Sequence, residues 1–558
     1  MVKTFSKIAI VFLVAFAVFM FAGCPTDAEP TGGLVPAPGA PGGIGGGGNA
    51  LSFKPIAELN AGPELVAWPN PFIKQDGSLV ASKEEWPARR EEIKKMLEYY
   101  FCGTYPPQPS KVEVSGPGVT GAGNVTITVT GNGRTASFTL SNLTIPTTAP
   151  NGEPPSATNK IPLLLGGGAP FVPNGYATAD FGMNSDSLAG IAQDIWQYDN
   201  SNDGRPSALV RDAWKVARVI DAAEIGIGGG VIDPDKFLVT GISRGGKDAL
   251  YLGAFAESMS GKHVAVTNPV SSGSGGAAPD RFNAQSYHKN QNNKNTYFYK
   301  ILDTVDGTPL VKLVTEDDPD AIDAGRTNFG YQTSTHARNE TANWFGKRFQ
   351  QFTEMYTEWE TDWQSDTNHY QHGYPGTTPF DHHFLTALCA PYGLLTHDGW
   401  DSTWTNPEGM YVTYLATREV YEYIDKPDNI GVRIYKIGHA NPTRELYDLI
   451  DFANAYFNRT FDTTYARLEG TETFPVTTLP AFQDKDLLYG SDTRMPDGKA
   501  TLADWFDPKA QDPERRYEYL KLNWTAPNKP ADSSVADIVR AEMAKNPEKY
   551  PGYADQTY

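Results

Sequence analysis

The stretch Gly241-Ile242-Ser243-Arg244-Gly245-Gly246-Lys247 follows the apolar run Phe237-Leu238-Val239-Thr240 and precedes a small, apolar segment from Asp248 to Glu257. A β-type run, a Gly-x-Ser-x-Gly pentad and a helical pattern in that order are the sequence form of a nucleophile elbow. The glycines answer to crowding. The strand-to-helix turn is so tight that the serine takes a strained backbone conformation, and side chains two residues to either side would collide. Ser243 is then the candidate nucleophile, standing above the sheet edge over the positive end of the following helix. The same pentad in an ordinary loop carries no chemistry; the flanking strand and helix separate the two cases. A guanidinium at Arg244 reaches the oxyanion of an ester transition state, and Lys247, one helical turn on, faces the same mouth. The pair suits an anionic or polyhydroxylated substrate.

The neighbouring segments supply the layers such a turn needs. Ile161 to Leu165 is an apolar strand running into Gly166-Gly167-Gly168, a loop that is either a plain tight turn or the source of an oxyanion-hole amide. Ala213 to Ala223 is an amphipathic helix just upstream of the elbow strand, and His263 to Thr267 reads as the next strand. Leu385 to Leu395 is strand-like, a polar aromatic loop spans Thr396 to Met410, Tyr411 to Tyr423 is helical, and Val432 to Ile437 is a strand. Strands alternating with helices predict an α/β, three-layer αβα sandwich, with residues 277–380 as long loop insertions over one face. Ahead of it, Trp86 to Phe101 is a helical stripe, and Lys111 to Val114 and Asn124 to Leu140 read as strands, the latter around Gly131-Asn132-Gly133 as a hairpin.

At 558 residues the chain is long enough for one large α/β domain with additions, or for two domains. Lys3 and Lys7, the apolar run Ile8 to Phe21 and the closing Phe21-Ala22-Gly23-Cys24 predict an export signal over residues 1–23. Residues 24–52 are dominated by Gly, Pro and Ala and read as a flexible tether. Residues 53–465 form the catalytic domain, and 466–558 are an extension of unknown role with one helical pattern, Ser534 to Lys545. The net charge of −19 argues against a nucleic-acid partner. Cys102 and Cys389 are too few and too dispersed for a disulfide framework or a metal cluster; they are either one bridge or two buried thiols. No metal and no organic cofactor is expected, and the chain reads as a monomer.

In this architecture nucleophile, acid and histidine follow one another, each at the carboxyl end of a later strand. Of nine histidines, His439 follows the final strand and precedes a helix, which makes it the candidate base; His382 and His383 are its competitors. Asp398, Asp401 and Glu408 lie in one segment and are the candidate acids.

Gly241-x-Ser243-Arg244-x-Gly246-Lys247, the Ser272-Gly273-x-Gly275-Gly276-Ala277 run, the Trp404-x-x-Pro407 loop and the Gly438-His439 loop resemble the glucuronoyl esterases of carbohydrate esterase family 15. Cys102-Gly103-Thr104-Tyr105-Pro106, Asn343-Trp344-Phe345 and Phe380-Asp381-His382-His383 are also similar to segments of that family. The resemblance, over roughly residues 85 to 455, implies an α/β-hydrolase fold and hydrolysis of esters between glucuronic acid on xylan and lignin alcohols. It implies Ser243 as nucleophile, Arg244 as oxyanion stabiliser, Lys247 as a ligand of sugar hydroxyls, Trp404 as a wall of the glucuronate site and His439 as base. Separately, the N-terminus resembles a bacterial lipoprotein signal, which implies an extracytoplasmic chain anchored to a membrane through lipidated Cys24; the alternative is an ordinary cleaved signal, a secreted chain and Cys24 left over. The chain departs from the family at both places where members carry the acid: a glutamate before the Ser-Gly-x-Gly-Gly run is here Ser271, and an aspartate two residues before the tryptophan is here Ser402. Asp401 beside it is the expected acid, with Asp398 next. The competing expectations are an acetyl- or feruloyl-type carbohydrate esterase and a non-catalytic glycan-binding lipoprotein.

Overall fold

The computed structural model describes residues 51–61, 64–65, 69–166, 175–180, 190–198, 202–273, 275–280, 297–305, 308–314, 319, 322–325, 344–352, 378–399, 402, 405–435, 439, 443–466, 488–489 and 526–527. Cys24, Gly167, Gly168, Asp401, Trp404 and the helix expected over Ser534 to Lys545 lie outside the described residues.

The strands are β1 (Glu64–Leu65), β2 (Lys111–Ser115), β3 (Gly123–Gly131), β4 (Arg134–Thr144), β5 (Ile161–Leu165), β6 (Ala177–Asp180) and β7 (Ile232–Ile242), then β8 (Val266–Val270), β9 (Tyr297–Val305), β10 (Thr308–Val314), β11 (Ile322–Gly325), β12 (Gly393–Gly399), β13 (Ile430–Tyr435) and β14 (Leu488–Tyr489). Ten of them make one sheet in the order β14-β13-β12-β8-β7-β5-β6-β4-β3-β2. It is parallel from β14 to β6, and β4, β3 and β2 add an antiparallel meander.

The α-helices among the described residues are α1 (Ile56–Ala61), α2 (Trp86–Leu97), α3 (Gly190–Trp196), α4 (Ala208–Ile225), α5 (Arg244–Ser260), α6 (Lys347–Gln351), α7 (His382–Ala387), α8 (Pro407–Tyr423) and α9 (Thr443–Phe461). The parallel strands are apolar on both faces, as a sheet covered on both sides requires. Leu163, Leu165, Phe237, Val239 and Leu394 join one core with α4, α5 and α8. Their alternates Leu164, Leu238 and Leu395 join a second core with Leu446, Leu449, Ile450 and Phe457 of α9. Two cores on opposite faces of one sheet are the three-layer sandwich the sequence predicts. Among the described residues no helix is long and apolar enough to cross a membrane.

Several boundaries differ from the sequence reading, among them the last expected strand, Val432 to Ile437, which is described over Ile430–Tyr435. The strand expected over His263 to Thr267 runs instead from Val266 to Val270. Asn268 and Pro269 look like breakers, but Asn268 is satisfied inside the sheet: it accepts from Thr240 Oγ1 at 2.8 Å and donates to the Leu395 carbonyl at 2.6 Å. Leu385 to Leu395 is not a strand. Asp381 caps α7 by accepting from the His382 N–H at 2.7 Å, and the strand begins only at Gly393 and runs through Asp398. Residues 277–380 are not all loop, since β9, β10 and β11 form a four-stranded antiparallel sheet with β1 in the order β1-β10-β9-β11. Cys102 and Cys389 are both buried free thiols, so the bridge is not made.

Candidate active site

Four parallel neighbours bring their carboxyl ends together: Ile242 pairs with Val270, Val270 with His397, and Gly399 with Tyr435. Whatever follows β7, β8, β12 and β13 therefore meets at one rim, and those followers include Ser243, Ser271, Ser402 and His439.

Ser243 sits between β7 and α5 with φ 59° and ψ −122°, a conformation that non-glycine residues rarely adopt. Its N–H donates to the Val270 carbonyl at 2.9 Å, and its carbonyl accepts from the Lys247 N–H at 3.2 Å. A Cβ on Gly246 would lie 2.7 Å from the Val270 oxygen and 2.9 Å from the Gly241 oxygen, so only glycine lets the turn close this tightly. Ser243 itself is half-buried.

Arg244 and Lys247, both buried on the first turn of α5, converge on one aromatic ring. The Arg244 guanidinium lies 5.4 Å and the Lys247 ammonium 5.6 Å from the centroid of Trp344. Arg244 Nη2 donates to Asp212 Oδ2 of α4 at 2.8 Å, which fixes the side chain from behind. Burial pushes the Asp212 carboxyl above the ordinary carboxylate range, against the pull of Arg244. Lys247 Nζ donates to the Ser272 carbonyl. Burial pushes its pKa down to about 8, against the opposing pull of Asp248 and Asp398.

The glycine-rich loop after β8 is pinned from several sides. Ser271, at φ 41°, donates its N–H to the His397 carbonyl at 2.8 Å, and the Ala277 N–H donates to Ser272 Oγ at 2.9 Å. His382 lies beneath this loop, with Nδ1 2.9 Å from the Gly276 carbonyl and Nε2 3.3 Å from the Gly275 N–H and 3.4 Å from Asp280. His383 bonds the Pro69 carbonyl at 2.7 Å. Both competitors for the role of base are thus engaged in the scaffold.

His439 presents an edge to solvent, and its Nδ1 lies 3.1 Å from Ser402 Oγ. Partial burial and the nearby Lys247 ammonium lower its pKa from the ordinary value. A neutral imidazole with its Nδ1 held in this way is the state a general base requires.

Asp398 is fully buried at the end of β12. Its Oδ1 accepts from Ser271 Oγ at 2.8 Å, Thr405 Oγ1 at 2.9 Å and the Gly399 N–H at 2.8 Å. Glu408 is the second residue of α8, and Asp401 and Trp404 lie outside the described residues. Among the described residues no group of three His, Cys, Asp or Glu side chains is arranged to hold a metal ion. The sequence reading missed Asp212, Trp344 as the ring shared by both cations, and Thr405. Asp212 precedes Arg244 by 32 residues, and nothing in the intervening chain signals that the two pair; the Asn343-Trp344-Phe345 resemblance was the one pointer to the ring.

The model of the family "Glucuronyl esterase, fungi" matches residues 127–304 and 327–425. A 4-O-methyl-glucuronoyl methylesterase 1 of Phanerochaete chrysosporium is 27% identical over 414 residues, covering 72% of this chain and 71% of the relative. The 4-O-methyl-glucuronoyl methylesterase of Schizophyllum commune is 27% identical over 399 residues, covering 70% and 82%. Among solved structures, a carbohydrate esterase family 15 glucuronoyl esterase from Caldicellulosiruptor kristjansonii superposes with a TM-score of 0.52 at 24% identity, over 77% of this chain and 99% of its own, which speaks to the fold. The elbow, its paired cations and these likenesses lead to one conclusion: the chain belongs to the glucuronoyl esterase family, carbohydrate esterase family 15.

Proposed function

We propose that this chain is a serine esterase that cleaves esters of 4-O-methyl-glucuronic acid on xylan through an acyl-enzyme. The observation that carries the reading is Ser243 held at φ 59° on the elbow, with two buried cations on the next helical turn. The relatives named 4-O-methyl-glucuronoyl methylesterase supply the substrate class. In the first half-reaction Ser243 Oγ attacks the ester carbonyl carbon while His439 Nε2 takes the hydroxyl proton. The oxyanion is met at the N-terminus of α5 by backbone N–H and by the Arg244 guanidinium, a cation already fixed by Asp212. Collapse expels the alcohol, which takes the proton from His439, and water repeats the sequence to free the uronate. Lys247 and Trp404 are proposed sugar contacts, with Asp401 and Asp398 as proposed acids.

Three finer readings rest on sequence. Residues 1–23 are an export signal and Cys24 is lipidated, so that the chain is extracytoplasmic; Cys24→Ser should move it from the membrane fraction to the medium. Residues 24–52 are the tether, 53–465 the catalytic domain and 466–558 its extension. The protein acts as a monomer.

Hydrolysis of benzyl glucuronate beside an acetyl ester, by wild type and by Ser243→Ala, tests the activity. Turnover of the uronate ester by wild type alone is expected. Acetate turnover without uronate turnover would transfer the reading to an acetyl esterase, and inactivity on both to a glycan-binding protein.

A further inference from the structure

Two serines at the rim, Ser271 and Ser402, are both tied to a single buried carboxylate, Asp398. Ser271 Oγ donates directly to Asp398 Oδ1 at 2.8 Å. Ser402 Oγ lies 2.8 Å from Thr405 Oγ1, which lies 2.9 Å from the same oxygen. Ser402 Oγ is also 3.1 Å from His439 Nδ1. A continuous chain thus runs His439 Nδ1, Ser402 Oγ, Thr405 Oγ1, Asp398 Oδ1.

We infer that Asp398 is the positioning carboxylate of this esterase and acts on His439 through the two hydroxyls of Ser402 and Thr405 rather than by contact. The inference rests on Ser243 and His439 being the nucleophile and base.

Counting protons decides the direction of the chain. Each hydroxyl has one proton to give. An ionised carboxylate only accepts, and its charge makes it the strongest acceptor within reach of Thr405 Oγ1, ahead of the Ser402 carbonyl at 2.8 Å. Thr405 Oγ1 is placed as a donor toward Asp398 Oδ1, the Ser402 carbonyl and Ser402 Oγ alike; with its one proton given to the anion, the rotatable Ser402 hydroxyl turns its own proton back to Thr405 Oγ1, and the lone pair left on Ser402 Oγ accepts from Nδ1–H. His439 is held in the tautomer whose unprotonated Nε2 takes the Ser243 proton. No proton travels along the chain: Ser402 and Thr405 keep theirs throughout, and the imidazolium formed in the transition state is stabilised by the aligned O–H dipoles and by the anion behind them.

A carboxylate with no chemistry to do is costly in this position. Asp398 is 0% exposed, and its Oδ2 meets no hydrogen-bond donor among the described residues. The cation facing it is Lys247 of α5, which in turn faces Asp248 and Arg244 and also bears on His439. Replacing Asp398 by asparagine keeps the shape and the acceptor, because the fixed Gly399 N–H and the two hydroxyls draw the amide oxygen to the Oδ1 position; the direction of the chain is unchanged and only the charge behind His439 is lost.

The test uses the full chain and reads Ser243 two ways: its labelling rate by a fluorophosphonate, which reports serine activation without a uronate substrate, and kcat/KM on benzyl glucuronate. Asp398→Asn should label on the order of 10²-fold more slowly, and Ser402→Ala, which leaves the buried carboxylate in place, about 10-fold more slowly. The double variant Asp398→Asn/Ser402→Asp places a carboxylate directly at Nδ1 and should recover about 10-fold over Asp398→Asn. A purely structural Asp398 would not be rescued from position 402. Asp398→Asn labelling at the wild-type rate, or a folded double variant no faster than Asp398→Asn, overturns the inference. Should Asp398→Asn not fold, Ser402→Ala labelling at the wild-type rate overturns it alone. A wild type that labels but leaves glucuronate esters intact removes the substrate reading and leaves the relay to be judged by labelling. A wild type that does not label removes the nucleophile and the relay with it.

Discussion

At the scale of single residues the site is a set of groups moved off their ordinary protonation ranges by burial. Burial pushes Asp398 up to about 7, against hydrogen bonds from Ser271, Thr405 and the Gly399 N–H and the attraction of Lys247. Burial pushes Lys247 down to about 8. His439 falls below its ordinary value. An active site that needs Asp398 ionised and Lys247 charged gains activity as pH rises through about 7 and loses it above about 8. kcat/KM measured from about pH 5 to 10 should therefore be a narrow bell. In Asp398→Asn the acidic limb should move to lower pH, where only His439 remains to titrate; a limb that stays in place would reject this assignment. Stability should follow the opposite sign. A carboxyl whose folded pKa is raised binds its proton more tightly folded than unfolded, so stability is lost as pH rises from its ordinary 3.8 through about 7. Asp398→Asn removes that cost. Its melting temperature relative to wild type should rise between pH 5 and pH 8, and a gap independent of pH would contradict a buried anion.

At the scale of elements, the elbow depends on how closely α5 lies on β8. A Cβ on Gly253 of α5 would stand 2.1 Å from Thr267 Oγ1 and 2.8 Å from its Cγ2, so the helix rests on the strand through a glycine. Gly253→Ala should push the helix outward, costing about 1–3 kcal/mol in urea unfolding, and, because α5 also carries Arg244 and Lys247 on its first turn, should lower kcat as well. Unchanged unfolding would mean the strand yields instead. The comparison of sequence with structure divides along the same line. Ile161–Leu165 and the hairpin around Gly131-Asn132-Gly133 were legible because local pattern alone decides them. The elbow was legible because its glycines and serine are contiguous. Where a partner far along the chain decides, the sequence was mute: Asn268 is a strand residue only because Thr240 and Leu395 satisfy its amide, and Asp398 reads as a loop acid until the strand is seen to run through it. The relay was illegible for the same reason, since a serine in an acid's place reads as a loss until Thr405 and Asp398 are found behind it.

At the scale of the whole molecule, the two ends of the chain make opposite predictions. Residues 24–52 have the composition of a tether, so a chain beginning at residue 51 should keep the melting temperature and kcat/KM of the full protein. The far end is different, because two short stretches of the extension after residue 465 belong to the catalytic body. β14 pairs in parallel with β13, Ile434 opposite Leu488 and Tyr435 opposite Tyr489, and so covers the edge of the strand that leads into His439. Ala526 is buried in the larger core, and its N–H donates to Glu419 Oε2 of α8, the helix that follows the Ser402–Thr405 segment, at 3.3 Å. Both contacts bear on the rim where base and relay stand, and neither touches the elbow. Ending the chain at residue 466 strips β13 of its outer partner and opens the core over α8. Such a chain should unfold at lower temperature and should lose kcat on benzyl glucuronate by more than its loss of folded protein accounts for, because His439 loses its support before Ser243 does. Fluorophosphonate labelling should fall in proportion to kcat. A truncated chain with full labelling and full turnover would make the extension an appendage and return the boundary of the catalytic unit to residue 465.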